Sequence, residues 1–285
     1  MREVRAVLVI LVALAGVPAA ARSLQAGDAY QITTDRETEQ HGNQATTPKG
    51  TSTDRDTYVE RVKEVRPQGI VLEYDLPKDA TREDRASTWQ FPFRVFKSNG
   101  GVLRLLNAPE LQARVDRWLK AAAMPRTACG RLIFKWNAFR IECDPQSVIR
   151  WLETITLPER IDAQARVTDR DARAPTPLTR LPAGKLVATL PIDPDAIRRE
   201  RARTDVGVAE LMQKPLTFDD ALKAHAAETI TGTITVTFDV EADGEVRRRT
   251  RTRVVQIAWE NGRVDTETMT ETLTHTPLAR GKTSG

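Results

Sequence analysis

Alternation with a period of two runs through most of this chain. Ile230, Ile234, Val236, Phe238 and Val240 recur on one side of a stretch whose other side is threonine, with Gly232 in the apolar row. That pattern predicts a strand with one buried and one wetted face. Residues 229–241, 245–259 and 263–275 are accordingly predicted as three long strands of one meander. Asp243-Gly244 and Asn261-Gly262 join them, and such dipeptides supply the positive φ angles of tight hairpins. Shorter strands are predicted over 30–39, 57–65, 70–76, 89–96, 102–106 and 185–190. Ile70, Leu72, Tyr74 and Leu76 share one face and are expected in the core. Pro67-Gln68-Gly69 and Asn99-Gly100 are expected to close two hairpins. Pro92 has no N–H for a ladder, which puts 89–96 at a sheet edge or a bulge. Residues 40–56 hold almost no large apolar side chain and are expected to form a mobile loop.

The period shifts to 3.6 in four places. Leu111, Val115, Trp118, Leu119 and Ala122 make one stripe of a helix over 107–123. Pro109 lies in its first turn, where a missing N–H removes no bond. Asp144-Pro145 reads as the cap and first turn of a helix to 154, with Val148, Ile149 and Leu152 inward. Residues 195–212 follow helical spacing, weakened by Gly207. Residues 217–227 start at Thr217, with Asp220 at capping-box spacing.

Cys129 and Cys143 are the two cysteines of the chain. The residues between them alternate as two strands, 131–136 and 139–142. A three-residue loop at Lys135-Trp136-Asn137 would pair Phe134 with Ala138. Counting outward then sets Cys129 opposite Cys143, within disulfide reach. The spacing is not C-x-x-C and no histidine is near, so a structural disulfide is expected rather than a redox or metal pair.

That bond needs an oxidising compartment, and the first residues address it. Arg2 and Arg5 flank the start of an unbroken apolar run over 6–16, and Ala19-Ala20-Ala21 offers small residues to a signal peptidase. The layout predicts a secretory signal peptide, residues 1–21, cleaved before Arg22. Spanning a bilayer takes about 20 apolar residues, and this run is shorter. No cysteine stands near the cleavage point to carry a lipid. The mature chain is therefore expected to be periplasmic or secreted and not membrane-spanning. Cleavage would leave 264 of 285 residues and remove Arg2, Arg5 and Glu3, taking 43 basic against 39 acidic side chains to 41 against 38. A near-neutral balance gives no global field toward nucleic acid or an anionic membrane. Residues 168–182 are charged and then proline-rich. They are the expected linker between a β-rich part with helices and the cysteine hairpin (22–167) and a part with a helical segment and the meander (183–285).

Candidate chemistry is sparse. Arg247, Arg249, Arg251 and Arg253 form the sharpest cluster. A simple two-residue Asp-Gly turn would set Phe238 opposite Arg249 and Val236 opposite Arg251, mixing apolar with charged. A three-residue loop with a bulge at Gly244 would instead set Val240 opposite Val246 and Phe238 opposite Arg248, and turn these four outward as an anion-binding ridge. The competing account is a solvated strand face balanced by Asp265, Glu267 and Glu271 on the next strand. No aromatic residues interleave with the arginines, which argues against single-stranded nucleic acid. His41, His225 and His275 are scattered without metal-ligand spacing. No serine lies in G-x-S-x-G and no glycine-rich loop cradles phosphate. The sequence thus implies no cofactor, no metal site and no catalytic residue.

The run from Trp136 to Ile149, together with Leu72-Glu73-Tyr74-Asp75-Leu76-Pro77 and Trp89-Gln90-Phe91-Pro92, resembles exported proteobacterial proteins of unknown function. The Thr- and Arg-rich C-terminal meander is also loosely similar to the half-barrels of periplasmic lipoprotein carriers, which hold acyl chains in a concave sheet. These likenesses and the patterning lead to one expectation. It is an α+β protein of long antiparallel strands, able to curl into a half-barrel, with helices packed on one side. The expected function is non-enzymatic binding of an apolar or lipid-like ligand or of an envelope protein. The alternative is an envelope hydrolase of unrecognised type, which a histidine beside a carboxylate or serine in a cleft would favour.

Overall fold

A computed structural model of the chain describes residues 24–44, 49–134, 138–162, 164–182, 184–241 and 244–279. The expected signal peptide and the turn residues Lys135-Trp136-Asn137 and Asp243 lie outside them. In chain order the strands are β1 (Ala29–Gly42), β2 (Gly50–Arg66), β3 (Gly69–Asp75), β4 (Phe93–Ser98), β5 (Leu103–Leu105), β6 (Leu132–Phe134), β7 (Ala138–Arg140), β8 (Arg166–Val167), β9 (Thr176–Pro177), β10 (Thr179–Arg180), β11 (Lys185–Pro191), β12 (Thr229–Val240), β13 (Val246–Ala258) and β14 (Val264–Pro277). The helices are α1 (Arg82–Ser87), α2 (Ala108–Ala121), α3 (Ser147–Ile155), α4 (Pro194–Leu211) and α5 (Phe218–Ala224).

Among the described residues, ten strands build one open antiparallel sheet in the order β10-β11-β12-β13-β14-β1-β2-β3-β4-β5. Helices cover one face, so the fold is α+β. The covered face carries Leu186, Leu190, Ile234, Val236 and Phe238 at one end and Leu72, Tyr74, Phe93 and Val95 at the other, all buried. Helix α2 lays its predicted stripe of Leu111, Val115 and Leu119 into that core, and α3 adds Val148, Leu152 and Ile155. The outer face is threonine. Thr189, Thr235, Thr252 and Thr270 stand side by side across β11, β12, β13 and β14. Threonine suits that face because its branched Cβ fits a pleated strand while its hydroxyl keeps it wet.

The sheet is longer than hydrophobic alternation predicts. Residues 40–56 do not form one loop: β1 runs to Gly42 and β2 starts at Gly50, with Thr34 opposite Asp56 and Glu37 opposite Thr53. These strands are polar on both faces, so they lack the apolar stripe that marks a strand in sequence, and the pairing itself holds them. Conversely, 89–96 contributes only Phe93 onward, because Pro92 stands before the strand rather than in it. Helix α3 starts three residues beyond Asp144, whose carboxylate accepts the Gln146 N–H at 2.9 Å in a local turn. Helix α1 is too short to show a periodic stripe, although Thr81 and Asp84 form a capping box at its start.

The cysteine hairpin follows its predicted register. Phe134 pairs with Ala138 and Leu132 with Arg140. Cys129 and Cys143 are bonded, with Cα atoms 5.7 Å apart. In the chain-entropy account, closing a loop of this length stabilises by about 3 kcal/mol.

Candidate functional site

A cavity of about 560 Å³ opens between the covered face of the sheet and the segment running from α3 to Glu159. Ile70, Leu72 and Leu103 form its sheet wall, and Ile149 and Leu157 its cover. These positions exist because alternation brings every second residue of β3 and β5 to one side, while helical spacing brings Ile149 over them. Polar groups share the lining with the apolar ones: Glu60, Tyr74 and His275, and also Lys97, Glu153, Glu159 and Glu245. Tyr74 Oη donates to Glu60 Oε2 at 2.5 Å. Burial, with the Glu60 charge beside it, pushes the Tyr74 phenol well above its ordinary range, so it is a fixed donor. His275 donates from Nε2 to the Ile155 carbonyl at 3.1 Å, which ties β14 to the end of α3. Burial lowers the His275 pKa from its ordinary 6.5, against the pull of Glu60 and with the push of Arg247 and Arg249. The site is thus a chamber of mixed lining, in which an aliphatic sheet wall meets a carboxylate–phenol pair, a neutral imidazole and the Lys97–Glu159 ion pair at 2.8 Å, a lining that can take a ligand with an apolar part and a polar end.

The arginine ridge predicted to face outward faces inward. Val240 does pair with Val246, but the register shifts between Asp239 and Val240, so Arg249 stands opposite Phe238, Arg251 opposite Val236 and Arg253 opposite Ile234. Arg247 is the residue the bulge leaves without a partner on β12, and it pairs with Glu245 at 2.6 Å. Each inward arginine fastens a covering piece to the sheet. Arg249 donates to the Thr154 carbonyl near the end of α3 at 3.0 Å. Arg251 clamps Asp169 through two bonds, 2.6 and 3.0 Å, and reaches Asp171 at 2.8 Å. Arg253, 5% exposed, reaches Asp171 at 3.1 Å, Glu200 of α4 at 2.6 Å and Glu267 of β14 at 2.8 Å. Burial opposes the charge on Asp169, yet the Arg251 bonds hold its pKa below the usual range. Residues 168–182 are therefore strapped onto the sheet by these carboxylates, and short pairings of β9 and β10 fix them further.

No family model matches the sequence, and no curated protein matches it. Among solved structures, the chain is similar to lipovitellin, in a structure concerned with its lipid–protein interactions. The TM-score is 0.38 at 10% identity, over 92% of this chain and 26% of that one. The chain thus spans about a quarter of the lipovitellin chain. It is also similar to OccK11 (OpdR) of Pseudomonas aeruginosa, with TM-score 0.22 and 9% identity over 88% of this chain and 96% of that one. At these scores neither likeness bears on ligand or mechanism.

The other candidates fall into place around these contacts. The three histidines stay apart: His41 on β1, His275 in the cavity and His225 at the end of α5. His225 is 6% exposed and bonded at both nitrogens, to Glu228 at 2.9 Å and Asp205 at 2.8 Å. Among the described residues no hydroxyl or thiol is bonded to it, so it offers no free nitrogen to a nucleophile. Trp151 joins Tyr58, Phe91 and Phe93 in an aromatic cluster with centroids 4.8 to 5.8 Å from its own. Trp89 is core and donates to the Glu142 carbonyl. None of the described tryptophans lines the cavity; its aromatic walls are Tyr30 and Tyr74. Sequence reasoning places Leu72 and Tyr74 in the core but misses Glu60. The single signal for Glu60 is its place two residues before Val62 on the buried side of β2.

Proposed function

We propose that the mature chain is an exported, non-enzymatic binding protein of the periplasm or the secreted fraction, and that it holds an apolar or lipid-like ligand beneath α3. The supporting observation is the cavity itself, about 560 Å³, in which an aliphatic wall of Ile70, Leu72, Leu103, Ile149 and Leu157 stands beside polar and charged side chains. Ligand sites commonly fall between about 300 and 1,000 Å³. The Cys129–Cys143 bond fits an oxidising compartment, and no described helix is long and apolar enough to cross a membrane.

The test is native mass spectrometry of protein taken from its own envelope fraction, followed by solvent extraction. The expected result is a chain beginning at Arg22 with a reproducible apolar adduct. Repeated recovery of empty protein would count against the proposal. In vitro, a series of fatty acids should bind about fourfold more tightly per added methylene until the cavity is full, from about 0.8 kcal/mol per buried CH₂. Leu103→Trp, which fills the chamber from a half-buried edge position, should abolish that dependence and leave the melting temperature nearly unchanged.

A further inference from the structure

A second opening, of about 650 Å³, lies between α4, the β6–β7 hairpin and the strap. It shares no lining residue with the cavity beneath α3, so either can be occupied while the other is empty. Four guanidiniums reach it from three segments: Arg140 at the end of β7, Arg170 in the strap, and Arg199 and Arg203 one turn apart on α4. All four lie at the surface. Like charges at that helical spacing repel, so the fold itself gains nothing from placing Arg199 and Arg203 together.

Their own carboxylates hold them loosely. Arg140 meets Glu210 at 3.7 Å, Arg170 meets Asp171 at 3.7 Å and Arg199 meets Asp193 at 3.4 Å. Arg203 meets no carboxylate among the described residues; its guanidinium lies 6.0 Å from the Phe218 ring centroid. The two carboxylates lining the opening, Asp171 and Glu200, are held closely by Arg251 and Arg253. The lining itself therefore carries four guanidiniums against two carboxylates, with Glu210, Asp193, Asp169 and Glu267 standing outside it. Val208 lines the opening at 48% exposure, Met212 follows one turn later at 57%, and Leu216, in the segment after α4, is 38% exposed. Guanidiniums converging on one space suit phosphate, and exposed aliphatic side chains next to them suit acyl chains.

We propose that this opening docks the phosphate headgroup of an anionic lipid in a membrane surface, with Val208, Met212 and Leu216 entering the acyl layer beside it. The full mature chain is floated with vesicles of phosphatidylcholine alone or with a quarter phosphatidylglycerol, at fixed ionic strength. Binding is expected to the mixed vesicles and to fall by about tenfold or more in Arg199→Ala/Arg203→Ala, since each surface cation contributes roughly a fivefold factor. Arg140→Ala/Arg170→Ala is the second pair and should act in the same direction. Val208→Ser/Met212→Ser should weaken binding while leaving the melting temperature in place. The control Arg82→Ala/Lys120→Ala removes the same charge elsewhere and should leave binding within about twofold. Equal losses in control and test pairs would make the attraction diffuse and overturn the site. Displacement of the protein by inorganic phosphate at matched ionic strength would assign the opening to a free anion and overturn the lipid.

Discussion

At the scale of single residues, the cavity beneath α3 turns on His275. Its imidazole donates to the Ile155 carbonyl and feels the charge of Glu60 against those of Arg247 and Arg249. Burial makes the charged form costly, so the folded pKa lies below the ordinary 6.5. In the unfolded chain the ring protonates near that ordinary value. As pH falls through it, the unfolded state takes up a proton that the native state resists, and stability drops. The loss therefore begins below about pH 6.5 and continues until the folded pKa is passed. His275→Gln keeps a donor without the titration. Thermal melts of the two proteins from about pH 7.5 to 5 should diverge, with the wild type falling more steeply. Parallel curves would mean the ring is already solvated in the native state. A second residue-scale prediction concerns Glu60. Tyr74→Phe removes its phenol partner and leaves a half-buried carboxylate short of one bond, a loss of about 1–3 kcal/mol. Adding Glu60→Leu should recover much of it, because the apolar pair needs no donor. Chemical denaturation of the two singles and the double reads the coupling.

At the scale of elements, the arginines of β13 show what the sequence could and could not convey. The strand and its Val240–Val246 pairing were legible because alternation and a turn dipeptide are local signals. Which face the arginines took was not, because the extra residue at Arg247, between the Asp239–Arg248 and Val240–Val246 pairs, reverses every side chain beyond it. The apolar partners Ile234 and Val236 would normally argue for outward arginines. The fold instead meets them with Asp169, Asp171 and Glu200, which lie far away in sequence, in what reads locally as a linker and a helix surface. Polar strands were hard to see for a related reason: β2 from Gly50 to Asp56 has no buried side, and its place comes from β1. The cavity was half legible. Its walls follow from strand and helix periodicity, whereas Glu60, Tyr74 and His275 meet only through tertiary pairing. The strap gives a direct test. Arg251→Met leaves the largely buried Asp169 without its main partner and Asp171 with Arg253, and removing one side of such a cluster costs about 3–5 kcal/mol. Arg248→Ala, on the outer face of the same strand, should change stability by less than about 0.5 kcal/mol. Neutralising the strap with Asp169→Asn and Asp171→Asn should recover part of the Arg251→Met loss. If all these variants unfolded alike in urea, the arginines would be passengers rather than fasteners.

At the scale of the molecule, the decisive contact is the seam between β1 and β14. The first strand pairs with the last from Tyr30 opposite Pro277 to Gly42 opposite Asp265. On either side of that seam β1 continues into β2 and β14 into β13, so one sheet draws strands from both 22–167 and 183–285. The core is continuous too, with Ile32 and Leu273 buried alongside residues from each end. Cutting the chain at the strap would expose two long strands along their whole length, each a bare ladder of backbone donors and acceptors. The first half would also lose two ties on its cover, because Arg249 and His275 from the second half hold α3. The two parts are therefore expected to unfold together. Calorimetry of the whole chain should show one transition whose calorimetric and van't Hoff enthalpies agree. Residues 22–167 and 183–285 made separately should each lack a cooperative melt, and mixing them should restore a fraction of it through the β1–β14 ladder. Two resolved transitions, or a fragment that melts cooperatively alone, would show that the strap joins independent domains and that the shared sheet contributes little to either.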